Sequence, residues 1–187
     1  LNRDKGNKIQ ATGYYRQATE HNPALLASWN ELYKLAVESK NRGSARHAQE
    51  KIEHLKSLPN ILLHINQILN EGNIKEAEKK CREFLKVNPT NTHAMSLLAE
   101  IASRLGHLND SEFLLESAVK LNPDDSEIRK KYLLILRKRQ KFSKTMEQAD
   151  ILVQQNPNNL SFQAQKAIEV MQNGDHEESI RLLENIL

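Results

Sequence analysis

The sequence predicts an all-α chain, a right-handed α-solenoid of antiparallel helix pairs, from three observations. An Asn-Pro pair recurs at Asn88-Pro89, Asn122-Pro123 and Asn156-Pro157, each Pro 34 residues after the last. Between the pairs lie two segments of helical apolar periodicity, parted at Gly106 in one interval and at Gln140 in the next. With the Pro set at repeat position 32, Gly72, Gly106 and Gly174 all fall at position 15. Such a period marks stacked helix–turn–helix units, because neither helix of a pair can bury its apolar face alone.

The seam between units needs a hard stop, and Pro supplies one: it lacks the N–H of an interior helical residue and pushes its predecessor out of the α region. The turn inside a unit needs a left-handed residue, which glycine adopts without cost from a Cβ. Residues 1–25 read as the tail of a unit, with Gly6 at position 15 and Asn22-Pro23 at its close. The next unit, about 26–57, opens with Trp29, Leu32, Tyr33 and Ala36, then carries Lys40 where glycine is usual and Ser57 where Pro is due. Two residues are missing from its period, which predicts a displaced turn near Asn41 to Ser44. Units follow at 58–91, 92–125 and 126–159, and an incomplete one at 160–187. Small residues at positions 8, 20 and 27 let the paired helices approach: Ala99, Ser111 and Ala118 in the most regular unit. The next unit places Leu133, Thr145 and Leu152 there, which predicts a wider layer.

Composition agrees with a single solenoid over 1–187. Charged residues make up 27% and aromatics only 5%, as expected where helix faces are solvated and thin layers are filled by small and aliphatic side chains. The one cysteine, Cys81, excludes an internal disulfide and falls on the core side of its helix, so it reads as a buried, inert thiol. No apolar run is long enough for a membrane span, and the expected setting is cytoplasmic. The apolar end at Leu187, with no polar capping helix, suggests self-association or continuation into further helices.

The coincidence of period, Pro, Gly and small-residue positions resembles the tetratricopeptide repeat (TPR) family over nearly the whole chain. More narrowly, Leu97-Leu98-Ala99-Glu100-Ile101-Ala102 with Arg104-Leu105-Gly106, Glu112 to Glu116, Lys131-Tyr132 and Arg137 to Gln140 are similar to the N-terminal repeat region of bacterial TPR–sulfotransferase proteins. That resemblance implies a non-catalytic arm, for substrate recruitment or dimerisation, whose catalytic domain lies beyond this chain. The general resemblance implies a scaffold that binds a peptide or partner through the concave groove of the array.

The residues themselves contain no nucleophile–base–orienter set, no Gly-rich phosphate loop and no metal-ligand spacing among the His residues, so no catalytic, cofactor or metal site is expected. Asp124-Asp125 and Asn109-Asp110 read as helix-start residues. The outlier is 128–146, which carries Arg129, Lys130, Lys131, Arg137, Lys138, Arg139, Lys141 and Lys144 without one Asp or Glu. Lys130, Leu134, Arg137 and Lys138 stand at groove positions 5, 9, 12 and 13 on one helix face, with Arg104 and Gln172 at position 13 of the neighbouring units and His93 and Ser161 at position 2. These residues form a candidate groove for an acidic protein or peptide; alternatively, the cations merely complement a helix C-terminus. The clamp by which some TPR proteins hold chaperone tails is absent: positions 5 and 9 hold Asn30 and Lys34, then Leu62 and Asn66, then Ser96 and Glu100. Nucleic acid is disfavoured because no stacking aromatics accompany the basic run.

Overall fold

The computed structural model describes the backbone of residues 2–186 and the side chains of 7–186, and Leu187 lies outside the described residues. It is built from α1 (Asn2–His21), α2 (Leu26–Glu38), α3 (Arg42–Ser57), α4 (Asn60–Asn70), α5 (Ile74–Val87), α6 (Thr92–Arg104), α7 (Leu108–Leu121), α8 (Ser126–Lys138), α9 (Phe142–Gln155), α10 (Leu160–Gln172) and α11 (His176–Glu184). There is no strand among the described residues. Residues 1–77 and 78–187 form two compact units. In the first, α2 packs on α1 and on α3; in the second, α6 pairs with α7, α8 with α9 and α10 with α11, and successive pairs touch through α7–α8, α9–α10 and α6–α8. The fold class is that of an all-α solenoid of antiparallel helix pairs.

The turns obey one rule. Lys40, Gly72, Gly106, Gln140 and Gly174 all have positive φ, from 56° to 95°. Each is followed by a residue whose N–H reaches five residues back, as in Asn41 N–H to Ala36 O (2.9 Å), His107 N–H to Ala102 O (2.8 Å) and Lys141 N–H to Leu136 O (3.0 Å). This is the hydrogen bonding of a left-handed helix cap. The expected displacement of the turn towards Asn41–Ser44 does not occur. Lys40 takes the left-handed conformation (φ 58°) at the place of a glycine, Asn41 caps α3, and Gly43 is helical. The shortfall falls instead on α4, with 11 residues against 13 in α6. Gly6 is likewise inside continuous helix.

At Pro89, Pro123 and Pro157 the preceding helix has ended and the residue two positions later caps the next, whereas Pro59 is itself the N-cap of α4. Asn91 Oδ1 accepts from Ala94 N–H (2.9 Å), Asp125 Oδ1 from Ile128 N–H (3.0 Å) and Asn159 Oδ1 from Ser161 N–H (3.0 Å), so the motif Asn-Pro-x-Asn/Asp is both stop and start signal. The proline carbonyl is also used. Trp29 Nε1 donates to Pro23 O and Arg129 Nη2 to Pro123 O, each across six residues (2.8 and 2.7 Å). Asn109 and Asp110 lie within the first turn of α7 rather than before it, where Asp110 complements the helix dipole.

Small residues sit where the helices of a pair meet. Ala99, Ser111 and Ala118 are all 0% exposed, and so are Leu133, Thr145 and Leu152 in the following pair. One cluster joins Ala99, Leu115, Ala118 and Val119 to Ile128, Tyr132, Ile135 and Leu136, so α8 seals the pair before it. Through Leu133, which packs with Ala149, Leu152 and Phe162, the same helix serves the pair after it. Only a narrow strip of α8 is left for solvent, and that strip makes the site.

Candidate functional site

Helix α8 begins at the Asp125 cap and buries Ile128, Arg129, Tyr132, Leu133, Ile135 and Leu136. Of the α8 residues left unburied, Lys131, Leu134, Arg137 and Lys138 share one cavity wall. These four face Ser96, Glu100 and Ser103 of α6, over a floor that includes Ser111 and Leu115 of α7, and together line a cavity of about 370 Å³. Leu134 is 38% exposed although Leu133 and Leu136 are fully buried. Of the groove residues expected from the sequence, Leu134, Arg137 and Lys138 line this cavity. Lys130 does not, and Lys131 takes its place. Arg104 lies at the exposed end of α6 and donates to Glu100 Oε1 (2.8 Å), while Gln172 lies exposed at the end of α10, outside the cavity lining.

The acid-free run is not a bare cationic surface. Its counter-charges come from other helices. Arg137 pairs with Glu169 of α10, Arg139 and Lys141 pair with Glu112 of α7, and Lys131 Nζ lies 3.5 Å from Glu100 Oε2 on α6. Arg129 is buried and spends its guanidinium on Gln148 Oε1 and the Pro123 carbonyl (both 2.7 Å). Glu112 and Glu169 are only 5% and 3% exposed, so these cations hold carboxylates that would otherwise be buried without a partner. Burial by itself would raise the Glu112 pKa. The Lys141 hydrogen bond and the charges of Arg139 and Lys141 outweigh it and hold the carboxyl below its ordinary range. Among the described residues, Lys130, Lys138 and Lys144 have no carboxylate partner. Of these only Lys138 reaches the cavity, where Nζ makes a 3.4 Å contact with Ser103 Oγ.

Two buried polar atoms border the same cavity without a hydrogen bond, Ser111 Oγ and Arg137 Nε. Elsewhere the chemistry is quiet. Cys81 is fully buried, its Sγ donates to Ala94 O (3.3 Å), and burial pushes the thiol up to about 12. Among the described residues no group of three or more His, Cys, Asp or Glu gathers to hold a metal ion, and no helix is long and apolar enough to cross a membrane.

With turns 34 residues apart from Gly72 to Gly174, the helix pairs have the fold of a tetratricopeptide-type solenoid. The sequence model of the tetratricopeptide repeat matches residues 69–132. Among solved structures, the chain is similar to a MamA protein at 13% identity, covering 87% of this chain and 90% of that one with a TM-score of 0.61. It is also similar to YrrB, a TPR protein with an unusual peptide-binding site, at 17% identity, covering 92% of this chain and 90% of that one with a TM-score of 0.59. A third likeness is to the Thermobaculum terrenum O-GlcNAc transferase at 18% identity, covering 59% of this chain and 21% of that one with a TM-score of 0.53. No curated protein matches the chain.

Proposed function

We propose that the chain is a protein–protein interaction scaffold, a single TPR array whose groove between α6 and α8 receives a peptide or an extended segment of a protein partner. The observation that carries this reading is the cavity lined by Leu134, Arg137 and Lys138, where an apolar side chain and a cation without a carboxylate partner lie exposed on one helix strip. Rigid helices on both sides fix the walls, and Asp125 and Asn91 fix where those helices begin. Such preorganisation favours recognition of short segments. A neighbour of the same fold, YrrB, is a TPR protein with an unusual peptide-binding site, which supports this use of the scaffold. The test is a panel of peptides selected from a random library on the unmodified protein. Leu134→Glu is expected to weaken them at least about tenfold with unchanged helicity, as removal of a central contact does. Equal binding by the variant would place the site elsewhere.

A second reading makes the chain the non-catalytic arm of a longer group-transfer enzyme, a sulfotransferase on the sequence resemblance. Its support is that the match to the O-GlcNAc transferase spans 21% of that longer chain. The encoded residues beyond Leu187 decide it: a phosphate-cradling donor loop there is expected on this reading, and its lack would end it. Exposed Met171, Ile180 and Leu183 on the last helix pair support self-association as a further part of the proposal, checked by sedimentation at rising concentration. A cytoplasmic setting is the simplest one for such a scaffold.

A further inference from the structure

We infer that the α6–α8 groove takes an acidic peptide, one that sets an apolar side chain into the pit lined by Leu115, Leu134 and Ile135 and a carboxylate against Lys138. This rests on the groove reading above and names its ligand. The pit is where apolar surface is exposed without cover: Leu134 is 38% exposed, and the aliphatic stems of Lys131, Arg137 and Lys138 extend the same wall. An apolar side chain entering it loses contact with water on most sides.

The charge around the mouth selects the flanking residues. Glu100 is shared between Arg104 and Lys131, and Glu169 is committed to Arg137. Among the described residues that line the cavity, Lys131 and Arg137 each face a carboxylate, whereas Lys138 holds only a long contact to a neutral hydroxyl. A ligand carboxylate would replace that contact with a charge-assisted hydrogen bond at no cost to an existing ion pair. A lysine or arginine at the same point would meet Lys138, Arg137 and Lys131 together. The groove therefore discriminates by sign as well as by shape.

The test uses three short capped peptides: a central leucine flanked by aspartates, the same peptide with alanine for the leucine, and the same with lysines for the aspartates. Binding is followed by amide shifts of the nitrogen-15-labelled chain. The aspartate–leucine peptide is expected to shift α6 and α8, to bind about tenfold tighter than the alanine version, and to bind about fivefold tighter than the lysine version at low salt, a gap that closes as salt rises. Lys138→Glu, at an exposed position, is expected to reverse the order of the aspartate and lysine peptides. If the lysine peptide binds α6 and α8 as well as the aspartate peptide, or the order is unmoved by Lys138→Glu, the inference falls while the groove reading stands. If none of the three shifts α6 or α8, the inference also falls, and the Leu134→Glu experiment on library peptides decides the groove reading separately.

Discussion

Removing Arg137 should destabilise the second compact unit far more than its place on the groove strip suggests. Its partner Glu169 is 3% exposed, and among the described residues the one other side-chain hydrogen bond to that carboxylate comes from Gln165 Nε2 (2.7 Å). Breaking a buried pair by deleting one member costs about 3–5 kcal/mol, because the remaining charge stays buried. The Gln165 bond survives in Arg137→Ala and places the expected loss near the lower bound, about 3 kcal/mol. Urea unfolding followed by far-ultraviolet circular dichroism reads this as a midpoint lower by about 1–2 M. Lys138→Ala, one residue along and exposed, is expected within about 0.5 kcal/mol of the parent. Replacing both partners, as Arg137→Met with Glu169→Met, should recover most of the loss, since a well-packed apolar pair carries no desolvation cost. An Arg137→Ala protein within about 0.5 kcal/mol of the parent would refute the reasoning and return Arg137 to the solvated surface.

Three further expectations follow from single residues. Lys40→Gly and Gln140→Gly should each stabilise by about 0.5–1 kcal/mol in the same urea assay, because both residues hold a left-handed backbone (φ 58° and 56°) that glycine adopts freely. Glu112, with its folded pKa depressed by Lys141 and Arg139 against the opposing effect of burial, adds stability that is present above its ordinary pKa of 4.5 and is lost as pH falls through the lower folded value. Glu112→Gln should therefore be less stable than the parent at neutral pH, with the difference shrinking below pH 4.5. Cys81, buried with its pKa pushed up to about 12, should resist a thiol reagent in the folded protein and react only as fast as the chain opens. Prompt labelling without denaturant would contradict that burial.

The turns were legible because their chemistry is local. Gly106 must stop a helix, and Asn122-Pro123 must end one, whatever packs against them. Lys40 misled for a tertiary reason. Packing of α2 on α3, with Trp29, Leu32, Ala48 and Ile52 in one cluster, outweighs the modest cost of a left-handed lysine, so the turn keeps its register without a glycine. The site was legible only in part. A composition window shows that residues 128–146 lack acids, but not that Glu112 and Glu169 reach them from helices 27 and 32 residues away along the chain. In an array of period 34 those separations are close to one repeat, so a search for acids one period from each cation would have found both pairs. The placement of Lys131 rather than Lys130 in the cavity turns on one residue, about 100° of rotation on a helix. Pattern alone could not fix that rotation; the burial of Arg129 onto Gln148 and the Pro123 carbonyl does.

The strip Lys131, Leu134 and Lys138 and the facing residues Ser96, Glu100 and Ser103 line one cavity, and the proposal is that they act as one binding surface. It is tested most directly by mapping a library-selected peptide onto the chain through its amide shifts. The largest shifts are expected in α6 and α8, saturating together with one affinity. Saturating shifts confined to α9, α11 or the Glu78–Val87 stretch, with α6 and α8 unmoved, would contradict it.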